Sequence, residues 1–209
     1  DTGGLSDTDT AMITVIEPTP PECPEGFYET AGDVWAINPA YVGNVKVLPN
    51  NGSGWWDKPA IGNGDYVSIS VNNNTGDVWA MNYHDGWVRM LPFNGSSWQV
   101  KPAIGAHTQG IYNISVNSST GDVWTMEYNG RVLMLPNGGT SWQEMPSPGY
   151  EWYAWYALSV NSNTGEVWAI HRINGRAFML PNGGTSWQEK PSAPAGSDTT
   201  SGSWLGLSV

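Results

Sequence analysis

The stretch SVNSNTGEVWAIHRINGRAFMLPNGGTSWQEKP, Ser159–Pro191, decides the fold. Together with the preceding residues it reads as four short strands. ALSV ends at Val160. The turn NSNTG follows, where Asn and Gly tolerate the positive φ that a tight hairpin demands. EVWAI puts Val167 and Ala169 on one face and Trp168 on the other, the period of two expected of a strand. A turn centred on Gly175 leads to RAFMLP, closed by a Pro that cannot donate within a ladder. TSWQEKP is the fourth strand, expected at an outer edge, where charge guards against aggregation.

The same phrase recurs along the chain. GDVW stands at Gly32–Trp35, Gly76–Trp79 and Gly121–Trp124 and returns as GEVW at Gly165–Trp168, at spacings of 44, 45 and 44 residues. SVN precedes it at Ser70, Ser115 and Ser159, and an LP pair follows at Leu48, Leu91, Leu135 and Leu180. A Trp then stands four residues before a Pro, at Trp55, Trp98, Trp142 and Trp187. A period in the forties with several strands per unit reads as propeller blades. The fold expected is all-β, a four-bladed β-propeller of four-stranded repeats at about 27–66, 67–111, 112–155 and 156–204. The repeated Trp residues are expected to pack between blades. The first unit lacks an SV strand before its GDVW, and Leu205–Val209 (LGLSV) is such a strand with nothing after it. The C-terminal strand is therefore expected to close the first blade, of this chain or of a neighbour.

SVNSNTGEVWAI followed by a Gly turn, RAFMLP and a W…P step resembles the repeats of tectonin-type β-propellers and of NHL-type blades, over about residues 27–209. The tectonin resemblance implies a lectin-like role, although that family usually carries more blades. Residues 1–26 fall outside the repeat. GGLSDTDTAMITVIEP resembles the last strand of a PKD-like or cadherin-like module, with Met12, Ile13, Thr14, Val15 and Ile16 in alternation. EPTPPECPEG then reads as a stiff, extended linker. A lone strand on a linker suits strand addition to another subunit's sheet; packing on its own propeller is the simpler use. The chain starts at Asp1 without an initiator Met, and is expected to be a piece of something longer.

Composition narrows the function. The 209 residues carry 13 Trp, 26 Gly and 15 Pro, a turn-rich chain with too much apolar mass to be disordered. With a net charge of −11 and only 8 Lys and Arg, nucleic acid is not an expected partner. No apolar run reaches the roughly 20 residues of a membrane span. The single cysteine, Cys23, cannot form an internal disulfide. N-x-S/T sequons at Asn51, Asn73, Asn94, Asn113 and Asn117 lean toward an extracellular, glycosylated protein.

Catalytic signals are lacking. His84, His107 and His171 form no metal-binding motif, and there is no nucleophile elbow or phosphate loop. Asp33, Asp77, Asp122 and Glu166 share one position in every unit. As a ring they could hold Ca²⁺; as individual groups they would cap their own hairpins. Fourfold repetition favours capping, and no cofactor is required. The aromatic residues outside the main repeat positions are the candidate ligand platforms: Trp56, Trp87, Trp152, Tyr153 and Trp155. Such residues suit sugar faces or protein partners. The expected function is non-catalytic surface binding, of carbohydrate or of cell-surface components. The alternative is a structural subunit of a glycosylated extracellular fibre or surface layer, a homopolymer joined through the N-terminal arm.

Overall fold

The computed structural model describes residues 32–38, 43–50, 52–105, 110–149, 155–192 and 207–209. All of the regular structure there is β. The first blade holds β1 (Val34–Asn38), β2 (Asn44–Leu48) and β3 (Trp56–Lys58). The second holds β4 (Tyr66–Val71), β5 (Val78–Asn82), β6 (Val88–Leu91) and β7 (Gln99–Lys101). The third holds β8 (Ile111–Val116), β9 (Val123–Glu127), β10 (Val132–Leu135) and β11 (Gln143–Met145). The fourth holds β12 (Trp155–Val160), β13 (Val167–His171), β14 (Ala177–Leu180) and β15 (Gln188–Lys190). Within each blade the strands pair antiparallel in sequence order, the first blade with three strands and the others with four. This is the four-bladed propeller, with the fourth strand of each phrase at the outer edge.

The hairpins form where the sequence asks for them. In the turn after β4, the Asn72 side chain accepts the amides of Asn74 (2.9 Å) and Thr75 (3.2 Å), and Gly76 takes φ +78°. A side chain there would be strained in the left-handed region. Asn117 with Gly121 and Asn161 with Gly165 repeat the arrangement.

Alternation along the second strand then assigns each face to a different blade boundary. Val123 joins the apolar cluster between the second and third blades, with Met81, Val88, Ile111, Ile114, Val116 and Leu135. Its neighbour Trp124 joins the cluster between the third and fourth, with Val132, Trp155, Leu158, Phe178 and Leu180. The first boundary is built the same way around Val45, Tyr66 and Ala80. An indole bond reinforces each packed boundary, and amide-to-serine bonds reinforce the second and third boundaries as well. The indole N–H groups of Trp98, Trp142 and Trp187 donate to the carbonyls of Pro59, Pro102 and Pro146 on the preceding blade, at 2.7, 2.8 and 2.7 Å. Nearer the centre, the amides of Ile114 and Val116 donate to the hydroxyls of Ser68 and Ser70, and that of Val160 to Ser115, each at 3.1 Å.

The expected closing strand, Leu205–Val209, is described only over Leu207–Val209. Leu207–Val209 form no strand, and β1 has β2 as its one described partner. Val34 is accordingly 52 % exposed, whereas its counterparts Val78, Val123 and Val167 are each 1 % exposed.

Candidate functional site

Two arrangements lie at opposite ends of the inner strands. At the end where the strands run into the NxxTG turns, the boundaries open into clefts. One, of about 190 Å³, is lined by Trp35 and Asp33 of the first blade, by Asn72–Gly76 of the second, and by Phe93. The next boundary repeats it at about 200 Å³, with Trp79 as the indole and Ser118–Gly121 as the turn. Asn72, Asn74 and Thr75 line both clefts. Each cleft thus sets the half-buried indole of one blade beside the hydroxyl and amide groups of the next. Lys58 and Lys101 stand 5.5 Å from the rings of Trp35 and Trp79 respectively. The clefts are smaller than the roughly 300 Å³ lower bound for drug-sized ligands, a scale suited to one small polar ring.

The repeated carboxylates belong to this end and are engaged in the turns. Asp33, Asp77 and Asp122 accept the backbone amides of Asn50 (2.8 Å), Phe93 (3.0 Å) and Asn137 (2.9 Å), tying two turns of one blade together. The hydroxyls of Thr75, Thr120 and Thr164 donate to Asp77, Asp122 and Glu166. No group of three or more His, Cys, Asp or Glu that could hold a metal lies together among the described residues.

At the other end, β-bulges interrupt the pairing of β4, β8 and β12 with their hairpin partners, near Val67, Tyr112 and Tyr156. A bulge re-aims a side chain. Tyr112 and Tyr156 stack with centroids 4.4 Å apart, and both meet Tyr128, at 4.4 and 4.6 Å. Tyr83 lies 4.6 Å from Tyr112, and Gly110 is held without a side chain because a Cβ would strike the Tyr83 ring. Arg172 stands 4.4 Å over Tyr156 and donates Nη1–H to its hydroxyl at 3.0 Å. Burial, with hydrogen bonds to Tyr83 and Tyr156, pushes the Tyr112 hydroxyl well above the ordinary phenol range. Tyr83, Tyr128 and Arg172 each follow the second strand of their blade, and the first blade has Pro39 there. Sequence reasoning passed over this cluster. Comparing the repeats position by position would have found it, because Tyr recurs at Tyr112 and Tyr156, and again at Tyr83 and Tyr128, among neighbours that differ.

Among the described residues, those expected to bind ligand lie on different blades. Trp56 opens β3, half-buried, opposite Val47. Trp87 lies on the second blade, 49 % exposed, with Arg89 5.9 Å from its ring. Trp155 requires a correction. It is 2 % exposed, packs edge-on against His171 and Phe178, and donates its indole N–H to Gly149. Its counterparts Tyr66 and Ile111 are buried as well, so the position is core and offers no ring face to a ligand. Trp152 and Tyr153 fall outside the described residues, as do Asn51 and the arm Met12–Ile16. Asn73 and Asn94 are exposed. Asn113 and Asn117 are buried, and Asn113 donates its amide to the Tyr156 carbonyl at 2.9 Å, a bond that a glycan there would have to break.

No protein-family model matches the sequence, and no curated protein does. Solved structures match on fold. The nidogen/laminin complex superposes at TM-score 0.60 with 12 % identity, covering 77 % of this chain and 62 % of that one. YCF48 bound to a D1 peptide gives 0.54 with 17 % identity, covering 76 % and 49 %. The GH74 enzyme of Niastella koreensis gives 0.56 with 19 % identity, covering 78 % and 23 %. The chain thus spans less than two thirds of each. These neighbours are β-propeller proteins of unlike function, and at such identities the likeness speaks for architecture alone. By its repeats, its sheets and its structural neighbours, the chain has the β-propeller fold.

Proposed function

We propose that this chain is a non-catalytic, extracellular binding module that recognises carbohydrate, or cell-surface components that carry it, through the clefts between its blades. One observation supports the reading above others: the same cleft of indole plus Asn and Thr groups occurs at two successive boundaries. An indole offers an apolar face to a sugar's C–H groups, and amides and hydroxyls match its hydroxyls. A tectonin-like affinity fits this role. So does a carboxylate set engaged in turn caps rather than held as the paired acids of glycoside hydrolysis. Exposed Trp87, and Trp56, Trp152 and Tyr153, would extend the contact surface. A glycan array probed with the full chain is expected to return saturable binding that is lost in Asn74→Ala, a change at a residue lining both clefts. An array without any hit, or an Asn74→Ala variant of full affinity, would remove the reading.

A structural subunit of a glycosylated fibre is the second reading, and β1 supports it. Among the described residues it pairs with β2 alone, and an edge of that kind is what a neighbour's Met12–Ile16 strand would need in order to add to the sheet. Deleting residues 1–18 is then expected to turn assemblies into single particles while the propeller stays folded.

A further inference from the structure

The outermost strand of each blade differs at its middle residue in one blade of the four. In the first, third and fourth blades that residue is Asp57, Glu144 and Glu189. Each is held by a cation of the neighbouring strand or of the turn before it: Lys46 at 2.6 Å, Arg131 at 3.0 Å and Arg176 at 2.8 Å. In the second blade the residue is Val100, 73 % exposed. Trp87 takes the place of Arg131 and Arg176 beside it, and this indole is 49 % exposed. Its backbone is fixed, since the Trp87 amide donates to Asp85 at 3.2 Å. Arg89, directly opposite Val100 in the ladder, is engaged on its own blade. Its Nε–H donates to the Tyr66 hydroxyl at 2.7 Å, and its guanidinium stands 5.9 Å from the Trp87 ring. Among the described residues β7 pairs with β6 alone. A charge on an edge strand deters pairing with a second strand, and β7 has none at its middle.

We propose that β7 is a self-association edge. Gln99–Lys101 of one copy adds antiparallel to the same strand of a second copy, about a two-fold axis at Val100, and joins two four-stranded blades into one sheet. Charge decides the partner. In this register Val100 meets its own counterpart and Lys101 meets Gln99, so no like charges are opposed. The same operation at the other three outer edges would set Asp57, Glu144 or Glu189 against itself, and like charges directly opposite destabilise a sheet. The Trp87 indoles flank the pair of valines and add apolar surface on both sides. Such a contact uses the same patch on both copies and closes at two. The net charge of −11 opposes the approach of two copies, so salt strengthens the contact by screening that repulsion. The pairing uses neither the N-terminal arm nor β1, and it makes a pair rather than a polymer. Neither Trp87 nor Val100 lines a cleft between blades. Self-association therefore stands apart from sugar binding in the clefts, although it withdraws Trp87 from the sugar-facing surface.

Sedimentation velocity on the full chain, over a range of concentrations, is expected to show a monomer–dimer equilibrium that moves toward dimer as salt is raised. Val100→Glu is expected to weaken association on the order of tenfold or more, through opposed carboxylates and lost apolar contact. The double variant Trp87→Arg, Val100→Glu rebuilds the ion pair of the third and fourth blades. It is expected to keep the parent's circular dichroism spectrum and to sediment as monomer. A parent chain that is monomeric at every concentration would overturn the proposal. So would association that survives both variants unchanged, which would place the contact at the N-terminal arm or at β1. The register has its own test in the full chain carrying Cys23→Ser and Val100→Cys. Directly opposed residues of an antiparallel pair have Cα atoms about 4.5–5.5 Å apart, within reach of a disulfide. Mild oxidation is expected to give a disulfide-linked dimer on a non-reducing gel, and thiols that stay reduced would overturn the pairing at Val100.

Discussion

Trp142 donates its indole N–H to the backbone carbonyl of Pro102, 2.8 Å away on the neighbouring blade. The same ring packs against the apolar cluster of that boundary, so one side chain supplies both packing and a directional bond. Trp142→Phe keeps much of the apolar body and removes the donor. It is expected to cost about 1–2 kcal/mol, the scale of one hydrogen bond with a partly desolvated acceptor left behind, read from the midpoint of urea unfolding. A change within error would show that packing alone holds the boundary.

Asp122 accepts the amide of Asn137 at 2.9 Å and the hydroxyl of Thr120 at 2.7 Å, joining two turns of the third blade. Asp122→Ala leaves both donors to solvent and is expected to cost about 1–2 kcal/mol, because bonds to a charged acceptor are the stronger ones. Calcium or a chelator is expected to leave the melting temperature unchanged, since the carboxylates already serve the turns. A calcium-dependent rise in melting temperature would restore the carboxylate ring as a metal site.

Arg176 forks onto Glu189 across β14 and β15, at 2.8 and 2.9 Å. These bonds hold the Glu189 carboxyl below the usual carboxylate range. The folded value lies under the unfolded one, so the contribution is present above the unfolded value. It fades as pH falls through the folded value. Glu189→Gln is expected to reduce the loss of stability between neutral and acid pH by a small amount, because the pair is exposed and screened. Parallel pH profiles of unfolding for the two proteins check this.

Tyr112 carries the opposite sign. Its folded value is raised by burial first and then by its phenol neighbours, so the neutral hydroxyl is the form the fold stabilises. That stability is complete below the unfolded value of about 10 and declines as pH rises above it. Tyr112→Phe is expected to lose the latest step in an ultraviolet phenolate titration. Its unfolding free energy is expected to fall less between pH 9 and 11 than that of the parent chain. If the parent's phenols all titrate together near 10, the cluster is not assembled as described.

Much of this architecture was legible beforehand because each repeat carries its own local instructions. Asn72 and Gly76 specify a turn, Pro92 ends a strand, and Val78–Trp79–Ala80 alternate between faces. These choices depend on neighbours a few residues away. The candidate site was less legible. Trp155 looked like an exposed platform because a run of aromatic residues surrounds it, yet alternation along β12 sends its ring into the boundary between the third and fourth blades. The tyrosine cluster escaped notice because Tyr83, Tyr112, Tyr128 and Tyr156 are far apart in the chain and meet only when β8 and β12 lie side by side.

The sequence by itself determined the number of repeats, the strand order within a blade and the assignment of Trp98, Trp142 and Trp187 to blade boundaries, since all of these follow from periodicity and local steric preference. The tertiary structure decided the rest. It alone joins the indole of one blade to the turn of the next in a cleft, buries Asn113 and Trp155, and gathers four phenols and Arg172 at one end of the inner strands. It also leaves Val34 and Trp55 uncovered where their counterparts are packed, because a boundary needs two faces and the first blade has a described neighbour on one side only.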